Sequence, residues 1–344
     1  MSRPLAMTVA GPLPANQLGL TLVHEHLHMD ATPLLAIHGY ATSAAGPFDV
    51  RAATEARWNP GSHPDNYRFV EDDVVIGELA PFKAAGGQTI VELTPPALGR
   101  DPEALLRIGR QAGINVVMGA GHYLQPTHGL IVAAQTEDEL TEALVREASQ
   151  GAGETGLRPG IIGEIGTSNP VHREEHRVLR AAARAARVSG LAVSVHLHPW
   201  GTTGREVIDT LLGEGISPGR IILGHVSTAH DNAAYIGALL DRGVFVAFDL
   251  FGFDHSLIGL GRWPPSDADV VATVTRLVRQ GHAGRVLISH DIGVRTRLRA
   301  HGGWGYAHIF DHVVPLLLEQ GLDESELDTI LVRNPSTLLT IDLP

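Results

Sequence analysis

The sequence predicts an α/β protein folded as a (β/α)8 TIM barrel. Two observations carry this. Short β-rich runs alternate with amphipathic helical runs from about residue 86 to the C-terminus, and one earlier run brings the strands to eight. Several of those runs end in Gly, His or an acidic residue and then a loop, as expected where the carboxyl ends of barrel strands carry a site.

The strands are read, in order, at Gly19–His26, Gln88–Leu93, Asn115–Ala120, Gly160–Ile165, Ala192–His198, Arg220–His225, Val244–Leu250 and Arg285–His290. Helical patterns lie between them at Pro102–Ala112, Glu137–Gln150, Glu174–Val188, Gly204–Glu214, Asn232–Asp241 and Ala268–Gln280, and the segment Glu71–Ala85 fills the gap after the first strand. Glycine stops such as Ala85-Gly86-Gly87 and Gly213-Glu214-Gly215 punctuate helix ends. Strands joined through helices must be parallel, and eight such units favour closure into a barrel over an open sheet. Residues 1–344 are therefore read as one barrel domain. Two segments lie outside the repeat. Met1–Gln17 is expected to add a strand or hairpin closing the barrel bottom. Ile37–Tyr67, rich in Ala, Gly, Pro and Asn, is expected to be a long loop over the active-site face, acting as a lid.

Composition narrows the chemistry. Of 344 residues, 44% are hydrophobic, enough for a core, yet no run approaches the eighteen apolar residues of a membrane span. Met1–Gly11 carries one basic residue and a proline and does not read as a secretory signal, so a cytoplasmic protein is expected. The formal charge of −12 argues against nucleic-acid binding, which needs basic surface, but does not identify a substrate; a small-molecule substrate is expected. The absence of cysteine excludes disulfides, thiol nucleophiles and Cys-bound zinc. Any metal must be held by carboxylates and by some of the 19 histidines.

His24-Glu25-His26 is the first candidate. On a strand, residues i and i+2 share a face, so both imidazoles would project together and Glu25 would point into the layer between strand and helix. His26 and His28 form a second pair of the same spacing, so spacing alone does not choose between them. Later strand ends add weight. Glu164 lies inside the apolar run Gly160–Ile165, where an unpaired carboxylate is costly to bury. His196-Leu197-His198, Gly224-His225 and Ser289-His290-Asp291 close three further strands. In a barrel these groups converge on one rim.

The motifs TLVHEHLHMD (21–30), GINVVMGAGHY (113–123), GIIGEIGTS (160–168), SVHLH (194–198), ILGH (222–225), LISHDIG (287–293), HGGWGYAH (301–308) and RNPSTLL (333–339) together resemble the phosphotriesterase family of the amidohydrolase superfamily. The resemblance runs from about residue 18 onward. It implies a binuclear metal centre at the C-terminal face of the barrel. His24 and His26 would hold the more buried ion with Asp291, and His196 and His225 the more exposed one. A carboxylate from the fourth strand would bridge them. The best-known members use a carbamylated lysine there; this chain has Glu164, as does one branch of the family. His28, His198 and His290 are left outside the ligand set. Relatives of this kind tend to be homodimers.

Two such cations share one water and lower its pKa, which makes a bridging hydroxide the expected nucleophile, with Asp291 accepting its proton. Zinc is the first choice of metal; manganese and cobalt also suit imidazole and carboxylate. Tyr123 occupies a position where lactone-hydrolysing relatives place a tyrosine. Leu250 stands where acyl-homoserine lactonases carry arginine, and Phe253 near where phosphorylated-lactone hydrolases carry lysine. With Phe251, Leu257, Ile258, Leu260 and Trp263 the surroundings are apolar, so a neutral or apolar substrate is expected. Arg295, Trp304 and Tyr306 follow the last strand, and Arg295 and Trp304 are candidates for the pocket lining. The leading expectation is hydrolysis of a carboxyl ester, a lactone first, followed by amide and then phosphotriester hydrolysis. A binding protein that had lost catalysis would lack ligands, and all six positions are filled.

Overall fold

The computed structural model describes residues 4–40, 46–256 and 262–341. An antiparallel hairpin comes first, β1 (Leu5–Thr8) with β2 (Gly11–Pro14). It is followed by β3 (Leu20–Glu25) and by a two-residue ribbon of β4 (Met29–Asp30) with β5 (Arg68–Phe69). The remaining strands are β6 (Gly87–Glu92), β7 (Asn115–Ala120), β8 (Ile161–Gly166), β9 (Val193–His196), β10 (Ile221–Leu223), β11 (Phe245–Phe248) and β12 (Val286–Ile288). β3 and β6 to β12 pair in sequence order, all parallel, as a nearly closed eight-stranded barrel ringed by helices. Each predicted strand corresponds to one of these.

The last strands stop earlier than predicted. Arg220–His225 contracts to Ile221–Leu223 and Arg285–His290 to Val286–Ile288. The cause is local backbone geometry: His225 and Asp291 take left-handed conformations, with φ of 58° and 56°, which end the ladder and turn the chain. Helices start and stop where the sequence supplies caps. Asp101 accepts from the amides of Glu103 and Ala104 ahead of Pro102–Ala112, and Thr136 with Glu139 forms a capping box ahead of Glu137–Gln150. The helix Arg173–Ser189 presents Ala181, Ala182, Ala185 and Ala186 as a buried face, small enough for close approach to the sheet.

Barrel closure between β12 and β3 relies on side chains. The Ser289 hydroxyl lies 3.0 Å from the His24 amide and 2.9 Å from its carbonyl. The Asp291 amide donates to the His24 carbonyl at 3.1 Å. The buried Glu25 carboxylate accepts from the His290 amide at 2.9 Å and the Ile292 amide at 3.1 Å, so Glu25 points into this seam. Val23, Val91, Val117, Ile161, Ile222, Phe245 and Leu287 fill the barrel interior, while Leu22, Ile90, Val116, Ile162 and Val246 pack outward under the helices.

At the lower end, Ala6, Ala15, Leu338 and Leu339 join the interior cluster. Asn334 fastens the C-terminal helix by donating to the carbonyls of Ala283 and Val286, both at 2.8 Å. The segment 37–67, expected to be a long loop, contains a helix at Val50–Trp58; residues 41–45 lie outside the described residues. Arg57 ties that helix to the loop after β12 by donating to the Gly302 carbonyl at 2.6 Å. Leu257, Ile258 and Leu260, counted above among the apolar surroundings, also lie outside the described residues. Among the described residues, no helix is long and apolar enough to cross a membrane.

Candidate metal centre

The carboxyl ends of β3, β8, β9 and β10 and the turn after β12 bring His24, His26, Glu164, His196, His225 and Asp291 together. Glu164 is the hub. Its Oε1 lies 3.3 Å from His24 Nε2, 3.1 Å from His196 Nδ1 and 3.6 Å from His225 Nε2. Asp291 Oδ1 lies 3.0 Å from His26 Nε2 and 3.6 Å from His24 Nε2. The other five are buried, whereas the Asp291 side chain keeps 19% of its surface open.

Simple alternation along the strands would not produce this. Ile161 faces the interior and Ile162 the helices, so a regular β8 would send Glu164 outward. The β8–β9 ladder shifts register between Ile162 and Ile165, and that irregularity turns Glu164 inward. Gly163 makes the shift possible. Its φ is +150°, and a Cβ there would sit 2.8 Å from the Ser194 carbonyl oxygen. β3 behaves likewise. Leu22 packs outward and Val23 inward, and a register shift between Leu22 and Glu25 turns His24 into the site.

The rear nitrogens are also held. Asp249, just past β11, places Oδ2 2.8 Å from His24 Nδ1 and Oδ1 3.2 Å from His225 Nδ1, and accepts from the His225 amide at 2.8 Å. These are hydrogen-bond contacts, so Asp249 orients one histidine of each expected ion site. His26 Nδ1 lies 2.8 Å from the Thr94 hydroxyl, which donates to the buried Glu92 carboxylate. Asp249 is absent from the sequence-predicted set. The signal was the one that marked Glu164, a carboxylate in the apolar run Val244–Leu250.

Charge and unsatisfied valence both fit metal ions. His24 Nε2 is buried with no hydrogen-bond partner, although it faces Glu164 and Asp291. His225 Nε2 and His196 Nδ1 face each other at 2.7 Å. Burial opposes protonation of His24 and His225, yet the surrounding carboxylates outweigh it. They raise His24 well above its ordinary value and His225 to about 10. Burial works to raise Asp249, but His225 and His24 hold it at about 2. Glu164 and Asp291 are likewise lowered despite burial. The carboxylates thus favour positive charge on His24, His26 and His225, whereas burial and the neighbouring His225 push His196 down. Among the described residues three sets have ligand atoms within 4.8 Å of one another: His24–His26–Glu164, Glu164–His196–His225 and His24–His225–Asp249.

A cavity of about 180 Å3 opens onto this cluster. Tyr123, Leu250 and Phe253 line it, as do Leu34, His38, Tyr40, Tyr67 and Leu98. The Tyr123 hydroxyl lies 3.3 Å from His196 Nδ1. His198 reaches the cavity but not the cluster. His290 turns away, with Nδ1 2.7 Å from Glu25 Oε1 and Nε2 accepting from the Ile309 amide at 3.1 Å.

Two expected lining residues stand elsewhere. Arg295 pairs with Glu71 at 2.7 and 2.6 Å, because the loop after β12 carries it outward to the segment before Asp72. Trp304 is 47% exposed and packs on His308 and His312. Tyr306 is buried and donates to the His26 carbonyl at 2.6 Å. In their place the loop after β12 contributes Arg297, and the loop after β11 contributes His255. Neither was distinguishable in the sequence from its neighbours.

Comparisons with known proteins agree with this geometry. The phosphotriesterase family profile matches residues 5–339. An N-acetyltaurine hydrolase of Xenopus tropicalis is 33% identical over 340 residues, 97% of each chain. A resiniferatoxin-binding protein from Rhodobacter sphaeroides superimposes with a TM-score of 0.93 at 36% identity, covering 97% of this chain and 94% of that one. A mutant of a phosphotriesterase-like lactonase from Deinococcus radiodurans gives 0.78 at 28% identity, covering 97% and 99%. With an unbroken profile match, an eight-stranded barrel and a His/carboxylate cluster at its carboxyl rim, this chain belongs to the phosphotriesterase family of metal-dependent hydrolases.

Proposed function

We propose that the chain hydrolyses a carboxylic acyl bond, an N-acyl amide ahead of a lactone, with two zinc ions held by His24, His26, Glu164, His196, His225 and Asp291. The observation that carries the reading is the Tyr123 hydroxyl, 3.3 Å from His196 Nδ1 and facing the cavity that Glu164 and Asp291 share. When bound, the ions supply Lewis acidity and a water acidified towards neutrality. Asp291, the ligand with the most open side chain, takes a proton from the attacking water and returns it to the departing amine or alcohol. Burial, with Glu164 and Asp291 nearby, raises the Tyr123 pKa well above its ordinary value, so it stays protonated. It donates to the carbonyl oxygen as negative charge develops. Leu34 and Leu98 give the acyl portion an apolar wall.

Relatives named as N-acetyltaurine hydrolases support the amide, and the lactonase supports the ester as the second reading. Phosphotriesters rank third. The test is a panel on the zinc-loaded protein containing N-acetyl amides, lactones and an aryl phosphotriester. The amides should give the highest kcat/KM. A phosphotriester turned over faster than every acyl compound would sink the reading.

A further inference from the structure

Arg57, in the last turn of the helix Val50–Trp58, ties that helix to two loops at once. Its Nη2 donates to the carbonyls of Thr296 at 3.2 Å and Gly302 at 2.6 Å, both in the loop after β12. Its Nε lies 3.6 Å from the Asp254 carboxylate in the loop after β11, and its own carbonyl accepts from the Ser256 amide at 3.0 Å. A second stitch runs nearby. The buried Asn66 accepts from the Thr296 amide at 3.0 Å and donates to the Pro60 carbonyl at 3.0 Å. Apolar packing holds the helix weakly. Its buried residues are Ala53 and Ala56, while Val50 and Trp58 are 82% and 64% exposed. Two alanine methyls bury little apolar surface, so polar ties fix its place.

The residues gripped in this way flank two that line the cavity. His255 stands between Asp254 and Ser256, and Arg297 follows Thr296. His255 Nδ1 has no hydrogen-bond partner among the described residues, so its place depends on the Phe253 ring it stacks against and on its chain neighbours. Arg297 joins the two loops close to the strands, through the carbonyls of Phe251, His290 and Asp291, and Arg57 joins them farther out. A wall ordered before the substrate arrives spares binding the entropy of ordering it. The metal ligands are held separately: Asp249 orients His24 and His225, and Thr94 faces His26. We infer that Arg57 is a positioning residue for the reaction at this site: it clamps the helix Val50–Trp58 across the loops after β11 and β12, and so keeps His255 and Arg297 in the cavity wall. It rests on the hydrolase reading of that cavity, though not on which bond is cleaved.

The experiment compares zinc-loaded wild type, Arg57→Ala and Arg57→Lys on whichever compound of the panel above the wild type turns over fastest. Arg57→Ala should lower kcat/KM by about 10- to 100-fold, the cost of a small misplacement around a reacting group. Most of the loss should fall on KM, because the displaced residues bind rather than react. Bound zinc per chain should stay as in the wild type. Arg57→Lys should recover part of the loss, since an ammonium can reach one carbonyl but lacks the fork that spans the loops. Hydrogen exchange supplies a readout free of substrate: the amides of Ser256 and Thr296 should exchange faster in Arg57→Ala, and those of β9 at the wild-type rate. Arg57→Ala with kcat/KM within about threefold of wild type overturns the inference. So does a loss confined to kcat, a loss matched by lost zinc, or unchanged exchange at Ser256 and Thr296. Fastest turnover of the phosphotriester refutes the acyl reading and leaves this comparison intact.

Discussion

Asp249 holds His24 from behind, its Oδ2 2.8 Å from the imidazole Nδ1. The same carboxylate receives the backbone and side chain of His225, so one residue sets the aim of histidines from two strands. Asp249→Asn should weaken metal binding by about 10- to 100-fold, as is usual when the outer partner of a ligating histidine is lost. Competition against a zinc chelator measures it. Unchanged affinity would show that the two rings are fixed by packing alone.

Glu164→Ala should lose both bound metal and activity, because Glu164 Oε1 is the point on which three imidazoles converge. His198→Ala should keep both ions, since His198 borders the cavity outside the cluster. Metal content per chain by elemental analysis separates the two, and equal loss would mean that His198 rather than His196 is the ligand from β9.

Gly163→Ala should disturb the site without touching a ligand. The new Cβ would press on the Ser194 carbonyl, and the φ of +150° is rarely adopted by alanine. Destabilisation of about 1–3 kcal/mol is expected, as for a strained backbone position, together with reduced metal content. A variant with wild-type melting temperature and full metal loading would contradict the account of how β8 turns Glu164 inward.

Glu175 supplies an acid-sensitive anchor beneath the loop after β8. Its carboxylate accepts from the amides of Gln125 at 3.0 Å, Ser168 at 2.8 Å and His172 at 2.8 Å. Burial tends to raise its pKa, but these bonds and the Ser168 hydroxyl lower it below 4.5. A carboxylate with a depressed folded-state pKa contributes stability that is present above its unfolded value and lost as pH falls through the folded value. Glu175→Gln should therefore cost about 1–3 kcal/mol near neutrality, and the difference from wild type should shrink below pH 4.5. Melting curves from pH 7 to pH 3 check this, and a gap independent of pH would refute it.

Arg295→Ala should change kcat/KM by less than about threefold, because its guanidinium is committed to Glu71 and it does not line the cavity. A larger loss confined to KM would return Arg295 to the pocket.

The sequence by itself determined the architecture and the metal-ligand candidates. Eight apolar runs of strand length, each followed by a helical period, admit few arrangements other than a parallel barrel. Histidines and carboxylates at the ends of those runs then have one rim on which to meet. The sequence also contained the evidence for Asp249, which the same reasoning about a carboxylate in an apolar run would have singled out.

Only the tertiary structure decided which way the decisive side chains face. Strand alternation alone would turn Glu164 towards the helices, and it is the register shift beside Gly163, set by contact with β9, that turns it inward. The loop after β12 sends Arg295 out to Glu71 and Arg297 in to the pocket, two residues apart with the same side-chain chemistry. Neither composition nor spacing separates them. Their directions depend on where the carbonyls of Phe251, His290 and Asp291 and the carboxylate of Glu71 lie once the barrel has closed.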